Sequence, residues 1–296
     1  MPTLNDTVAA FVAAREYDQA TLSRLGFWSD QFADRELTEI TPDDVDAALV
    51  RLAERGRLRP ARNRETVKAG QPLKPSTLNR YISQLGSVYK YARRYRLIPR
   101  TFVFPTANIE KAPEPADPER YFRPEEIDRL LTVARVLDTK WKKLPALIVL
   151  AYHTGLRKAN LLGLRWSDVD LVAATASVGK TKNGQPIVAP LSQAAVAALK
   201  CLPGKHEPDA FIFAGRHGKP ALSRTLWLKV TAAAGLPGKN FHQLRHGCGH
   251  ALATAGIGQA QIMALMGHKT LTASARYMHA NVSDKAAVVA RVFDNG

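Results

Sequence analysis

The chain has 296 residues, 46% of them hydrophobic, which is enough for one or two domains with a sizeable core, and no apolar run approaches the length of a bilayer span. Forty-two Lys and Arg against 26 Asp and Glu give a formal charge of +16 and a pI near 10.0, so a polyanionic partner is expected; charge alone does not choose among DNA, RNA and an acidic membrane surface. Cys201 and Cys248 lack the paired spacing of a zinc knuckle, and the start MPTLNDTVAAFVAAREY lacks a basic segment followed by an apolar core, so neither a disulfide nor secretion is expected.

From Thr3 to about Tyr95 the pattern is helical. The clearest element begins at Thr41-Pro42-Asp43-Asp44, with a hydroxyl N-cap, proline at the first helical position and acids in the first turn. Val45, Leu49 and Leu52 then recur on one face until Gly56. Another helix begins near Ser76, with Leu78, Ile82, Leu85 and Tyr89 as its apolar stripe and Arg80, Lys90, Arg93, Arg94 and Arg96 on other faces. Between Arg57 and Arg100 twelve Lys or Arg accompany one acid, Glu65; such a run is either a solvated face or a surface for a polyanion. Pro99, Pro105, Pro113, Pro115 and Pro118 disfavour regular structure, and Arg100 to about Glu119 reads as an extended linker holding the domain boundary.

The second half opens with a helix near Arg123-Pro124-Glu125-Glu126, running through Ile127, Leu130, Leu131 and Ala134. Leu144 to Tyr152 is almost wholly apolar and reads as a buried helix ending at His153-Thr154-Gly155, a rigid mount for Arg157. Thr175-Ala176-Ser177-Val178 and Ile187-Val188-Ala189-Pro190 flank a turn at Asn183-Gly184, so a small antiparallel sheet is expected, with Lys182 just before the turn. Helical spacing returns at Ala194 to Leu199 and Leu222 to Ala234. Phe241 to His279 reads as helix, turn, helix, turn, helix, and draws His242, Arg245, His268 and Tyr277 from separate helix ends. A guanidinium fork matches two phosphate oxygens, and a tyrosine hydroxyl becomes a nucleophile once its proton is taken; together they suit phosphoryl transfer. His242, His246 and His250 also fall at i, i+4 and i+8, a spacing that lines up imidazoles for zinc. No carboxylate lies between Arg245 and Ser283 and no His-Glu-x-x-His pattern occurs, which argues against a hydrolytic zinc site; His246 and His250 are expected to pack or to contact phosphate.

The strings TGLR (Thr154 to Arg157), HQLRH (His242 to His246), MGHK (Met266 to Lys269) and ARYMH (Ala275 to His279) resemble the motif boxes of the tyrosine recombinases, the phage-integrase family. The spacing is similar as well, with 23 positions from Arg245 to His268 and nine from His268 to Tyr277. The resemblance implies a mainly α fold with a small antiparallel β-sheet. Its parts would be a helical, SAM-like core-binding domain over residues 1–104, a proline-rich linker over 105–119 and an α+β DNA breaking and rejoining domain over 120–296. It also implies a site-specific recombinase or integrase that acts on double-stranded DNA through a 3′-phosphotyrosine on Tyr277. In that scheme Arg157 and Arg245 neutralise the transition state, His268 hydrogen-bonds the same phosphate and His242 assists removal of the tyrosine's proton or orients its neighbours. Lys182, eight positions before Pro190, is the family's hairpin lysine and protonates the leaving 5′ oxygen.

These cationic groups would do what metals do elsewhere, so no metal, other cofactor or ATP is called for. The stripe Val282, Ala286, Val289 and Val292-Phe293 is implied to dock on a neighbour in a homo-tetramer on two synapsed duplexes, with a monomer or weak oligomer in the absence of DNA. The expected setting is cytoplasmic and nucleoid-associated, without membrane attachment. One position departs from the family pattern: where many members carry glutamate three residues after the first arginine, this chain has Asn160, an amide that keeps hydrogen bonds but not charge. Two readings compete: a type IB topoisomerase, distinguished by relaxing supercoils without site preference, and a DNA-binding regulator that does not cleave. The second is disfavoured because all six polar positions are filled.

Overall fold

The structure, a computed structural model, describes residues 1–56, 58–60, 66–68, 72–114, 121–179 and 186–267 together with Thr270, Ser274 and Tyr277. It divides into two units, Met1–Ala116 and Asp117–Gly296. In the first, helices α1 (Leu4–Ala13) and α3 (Pro42–Arg55) each start in a reciprocal capping box. The Thr41 hydroxyl accepts from the Asp44 amide at 3.2 Å, and the Asp44 carboxylate accepts from the Thr41 amide at 2.8 Å. Asp18 caps α2 (Gln19–Phe32) at 2.7 Å from the Thr21 amide. Helix α4 (Pro75–Arg94) buries Tyr81, Ile82, Leu85, Val88, Tyr89 and Ala92. Trp28 is fully buried against it, its indole N–H donating to the Tyr81 carbonyl at 3.0 Å; truncating a core residue of this size costs roughly 3–5 kcal/mol.

Between α3 and α4, where a helical pattern was expected throughout, the structure has an antiparallel hairpin. Strands β1 (Leu58–Pro60) and β2 (Thr66–Lys68) pair with Leu58 opposite Lys68. Three-residue strands are too short for a period of two to declare itself, and arginine dominates the segment, so no apolar alternation announces them. Beyond α4, proline excludes regular structure, yet Phe102 and Phe104 pack on Tyr89 with ring centroids 6.1 and 5.6 Å away. The Asn79 amide donates to the Ala112 carbonyl at 2.8 Å and to Glu114 Oε1 at 3.0 Å, which clips this stretch to α4.

The second unit runs α5 (Pro124–Leu137), α6 (Leu144–Thr154), α7 (Lys158–Gly163), a sheet, α8 (Gln193–Lys200), α9 (Arg224–Ala233), α10 (His242–Thr254) and α11 (Gln259–Met266). Every residue of α6 from Ala146 to Ala151 is buried, and the helix packs against α5, α8 and α10. Asp138 closes its N-terminus by accepting from the amides of Trp141, Lys143 and Leu144 at 3.1, 2.9 and 2.8 Å, which satisfies donors that have no partner within the helix. The sheet, in the order β3 (Val169–Asp170), β4 (Thr175–Val178), β5 (Ile187–Pro190), is antiparallel with Ala176 opposite Ala189, both buried. The turn with Lys182 lies outside the described residues, as does the tail from residue 278. No described helix is long and apolar enough to cross a membrane.

Lys239 ties the entry of α5 to the turn before α10, with Nζ 2.6 Å from Glu126 Oε2 and 2.7 Å from the Tyr121 carbonyl. Burial alone would raise the Glu126 carboxyl. The bonds from Lys239 and from the Arg123 amide, the latter at 2.9 Å, outweigh it and hold the pKa below its ordinary value. A depressed carboxylate contributes stability that is present above its unfolded pKa and lost as pH falls through the lowered value. Glu126→Gln is therefore expected to cost about 1 kcal/mol at neutral pH and to flatten the acid limb of the stability curve, read by urea unfolding at a series of pH values. Parallel acid limbs for wild type and variant would show that the pair contributes nothing.

Candidate active site

Three turns meet at α10. The first closes α6: Thr154 Oγ1 donates back to the Leu150 carbonyl at 2.6 Å and accepts from the Leu156 amide at 3.2 Å. Gly155 follows with φ +60°, and a Cβ there would lie 3.1 Å from both Cys248 Sγ on α10 and Met266 Cε on α11. Glycine is needed for the left-handed dihedral and again for the close approach. This turn delivers Arg157 to the N-cap of α7. Arg157 is half-buried, and its Nη1 is shielded from solvent with no hydrogen-bond partner among the described residues; the same holds for Asn160 Nδ2, three residues on. Shielded donors without partners are costly, so they mark a place where a ligand's acceptors would be stabilised.

Arg245 is placed differently. It is 5% exposed, and Nη1 donates to the Gly155 carbonyl while Nη2 donates to the Met266 carbonyl at 2.8 Å. These carbonyls sit at the C-terminal ends of α6 and α11, where unsatisfied acceptors favour a cation. They are also two residues ahead of Arg157 and of His268, so one guanidinium holds both turns. Burial pushes the neighbouring Cys248 thiol up to about 11, with the charge of Arg245 pulling the other way.

At the start of α10, Asn240 Oδ1 accepts from the His242 amide at 3.0 Å and Gln243 Oε1 accepts from the Asn240 amide at 2.6 Å. The exposed His242 ring stands edge-on to that of His246, centroids 4.9 Å apart. His246 Nδ1 is 2.9 Å from the Tyr277 hydroxyl. Tyr277 is 8% exposed, its ring clustered with Ile262 and Met266 of α11, and it crosses α10 at Gly249, where a Cβ would fall 2.6 Å from Cε2. The third imidazole of the i, i+4, i+8 series, His250, stacks on Tyr121 with centroids 4.0 Å apart.

Of the six side chains singled out by sequence, Arg157, His242, Arg245 and Tyr277 are described; Lys182 and His268 lie outside the described residues. His246 is the contact that sequence reasoning missed, having been assigned to packing or phosphate. Its signal was position: four residues after His242 it shares a helix face with it.

A mainly helical chain whose second unit carries a three-stranded antiparallel sheet has the fold of solved integrases. The integrase of transposon Tn1549, solved in complex with transposon right end DNA, superposes with a TM-score of 0.70 at 18% identity over 98% of this chain and 99% of that one. A lambda integrase dimer bound to a COC′ core site gives 0.66 at 20% identity over 93% and 94%. Residues 120–284 match the phage integrase family profile, and the chain belongs to that family, the tyrosine recombinases. The integrase of Salmonella phage P22 is 25% identical over 87% of this chain and 70% of its own length. Tyrosine recombinase XerC of Roseiflexus sp. (strain RS-1) is 25% identical over 96% and 92%.

Proposed function

We propose that this protein is a site-specific DNA recombinase that breaks and rejoins strands through Tyr277. The observation that carries the reading is the Tyr277 hydroxyl, hydrogen-bonded to an imidazole while its ring rests on two helices joined by Arg245. Attack on a phosphodiester joins Oη to the 3′ phosphate and releases the 5′ oxygen. The ester conserves the energy of the broken bond, so a 5′-hydroxyl of another strand reseals it without ATP. Arg157 and Arg245 stabilise charge on the nonbridging oxygens, with His268 as a further donor, His242 assisting proton removal from the tyrosine or orienting its neighbours, and Lys182 protonating the leaving oxygen. Fixed cationic donors supply this stabilisation without a metal.

Residues 1–104 serve as the core-binding domain, 105–119 as the linker and 120–296 as the catalytic domain. Lys90, Arg93, Arg94 and Arg100, which line an open hollow of about 470 Å³, meet the DNA backbone. Four copies act on two synapsed duplexes, each tail docked on a neighbour, and the enzyme works in the cytoplasm on nucleoid DNA. The test uses nicked duplexes carrying sites that the protein selects from a random-sequence pool. The wild-type chain is expected to give a denaturation-resistant protein–DNA adduct, and Tyr277→Phe none while still binding. An adduct of equal yield in the variant would sink the reading.

A further inference from the structure

We infer that His246 accepts the proton of Tyr277 during strand cleavage, and that Gly249 is the floor of the slot that brings the hydroxyl to it; the inference rests on the tyrosine chemistry proposed above. The 2.9 Å between Nδ1 and Oη is within reach of direct proton transfer. With the ring proton on Nε2, Nδ1 accepts from the phenol. Gly249 lies three residues beyond His246, close to one turn along the same helix. The tyrosine ring crosses the helix there so closely that a Cβ would stand 2.6, 2.7 and 2.8 Å from Cε2, Cζ and Cδ2. Ile262 and Met266 cover the ring from α11. A phenol seated in this way presents its hydroxyl to His246 by virtue of where its ring can lie.

In the cleavage step the bond from Oη to phosphorus forms as the bond from phosphorus to the 5′ oxygen breaks. The phenolic proton passes to Nδ1, leaving an imidazolium, and the departing oxygen takes its proton from a separate donor, for which Lys182 is the candidate. Rejoining reverses both transfers: the attacking 5′-hydroxyl gives its proton to the deprotonated donor, and the imidazolium returns its own to the released phenolate. His242, edge-on to His246 at 4.9 Å, flanks the ring that carries this charge.

The experiment uses the full chain and the same selected, nicked duplexes, with Tyr277→Phe as the blank. His246→Gln keeps a polar side chain but is not basic enough to take the proton, and its rate of adduct formation is expected to fall about 10²- to 10³-fold with DNA affinity unchanged. Replacing Tyr277 by 3,5-difluorotyrosine, a more acidic phenol, is expected to shrink that penalty by about tenfold or more, since a better acid depends less on its base. A penalty that came from packing would not respond to phenol acidity. Gly249→Ala favours helix in α10 yet displaces the ring, so it should slow adduct formation comparably while helicity is retained. A wild-type rate in His246→Gln, or one penalty for both phenols, overturns the assignment of His246 and leaves the tyrosine chemistry standing. Absence of an adduct with the wild-type chain overturns both.

Discussion

Arg245→Ala is expected to unfold the second unit at markedly lower temperature as well as to abolish strand cleavage. Its guanidinium donates to two buried carbonyls that close α6 and α11, and removing it leaves both acceptors without those donors in a site 5% exposed. Charge-assisted hydrogen bonds of this kind contribute roughly 1.5–3 kcal/mol each, so a loss of about 3–6 kcal/mol follows, or ~10 °C in Tm for a unit of this size. The turns before Arg157 and His268 lose their common anchor, and adduct formation should fall by ~10³-fold or more. Arg245→Lys retains the charge but not the planar fork, and one ammonium does not reproduce both bonds, so intermediate stability with poor cleavage is expected. Differential scanning calorimetry and the adduct assay on the same preparations measure the two effects. A variant that is stable but inactive would show that Arg245 serves only the reacting phosphate.

Arg157→Ala should behave in the opposite way. Nη1 is shielded from solvent without a partner among the described residues, so the folded chain gains little from the guanidinium and loses little with it. The Tm is expected to stay within about 2 °C, since a shielded donor left without a partner is itself a cost. Cleavage is expected to slow by about 10²- to 10³-fold, the usual consequence of removing a preorganised donor from a developing oxyanion. Asn160, with its Nδ2 in the same condition, marks where the departure from glutamate acts: an amide N–H presents a donor where a carboxylate would present an acceptor. Asn160→Glu places an acceptor three residues from Arg157, and the two variants measured together show whether the pair works as one phosphate-facing unit. A drop in Tm for Arg157→Ala equal to that of Arg245→Ala would overturn the distinction between them.

Much of the fold was legible because its signals are local. Thr41, Pro42 and Gly56 bracket α3 where cap chemistry requires, and the apolar run of α6 ends at the glycine that takes the left-handed dihedral. Strand β4 follows the alternation of Thr175-Ala176-Ser177-Val178 and pairs with β5, whereas the two-residue β3 and the short β1–β2 hairpin had no alternation long enough to see.

The sequence by itself determined which residue types arrive at which turn: arginine after Gly155, histidine and arginine one helical turn apart on α10, and a tyrosine after α11. Periodicity and capping reach only three or four positions along the chain, so they determine faces and ends. What tertiary structure decided is which of these groups touch. Arg245 meets the Gly155 carbonyl across 90 positions, and Tyr277 meets His246 across 31. Those pairings depend on how α6, α10 and α11 stack, and the stacking depends on side-chain shape and on the missing Cβ atoms of Gly155 and Gly249, which let neighbouring groups approach the backbone.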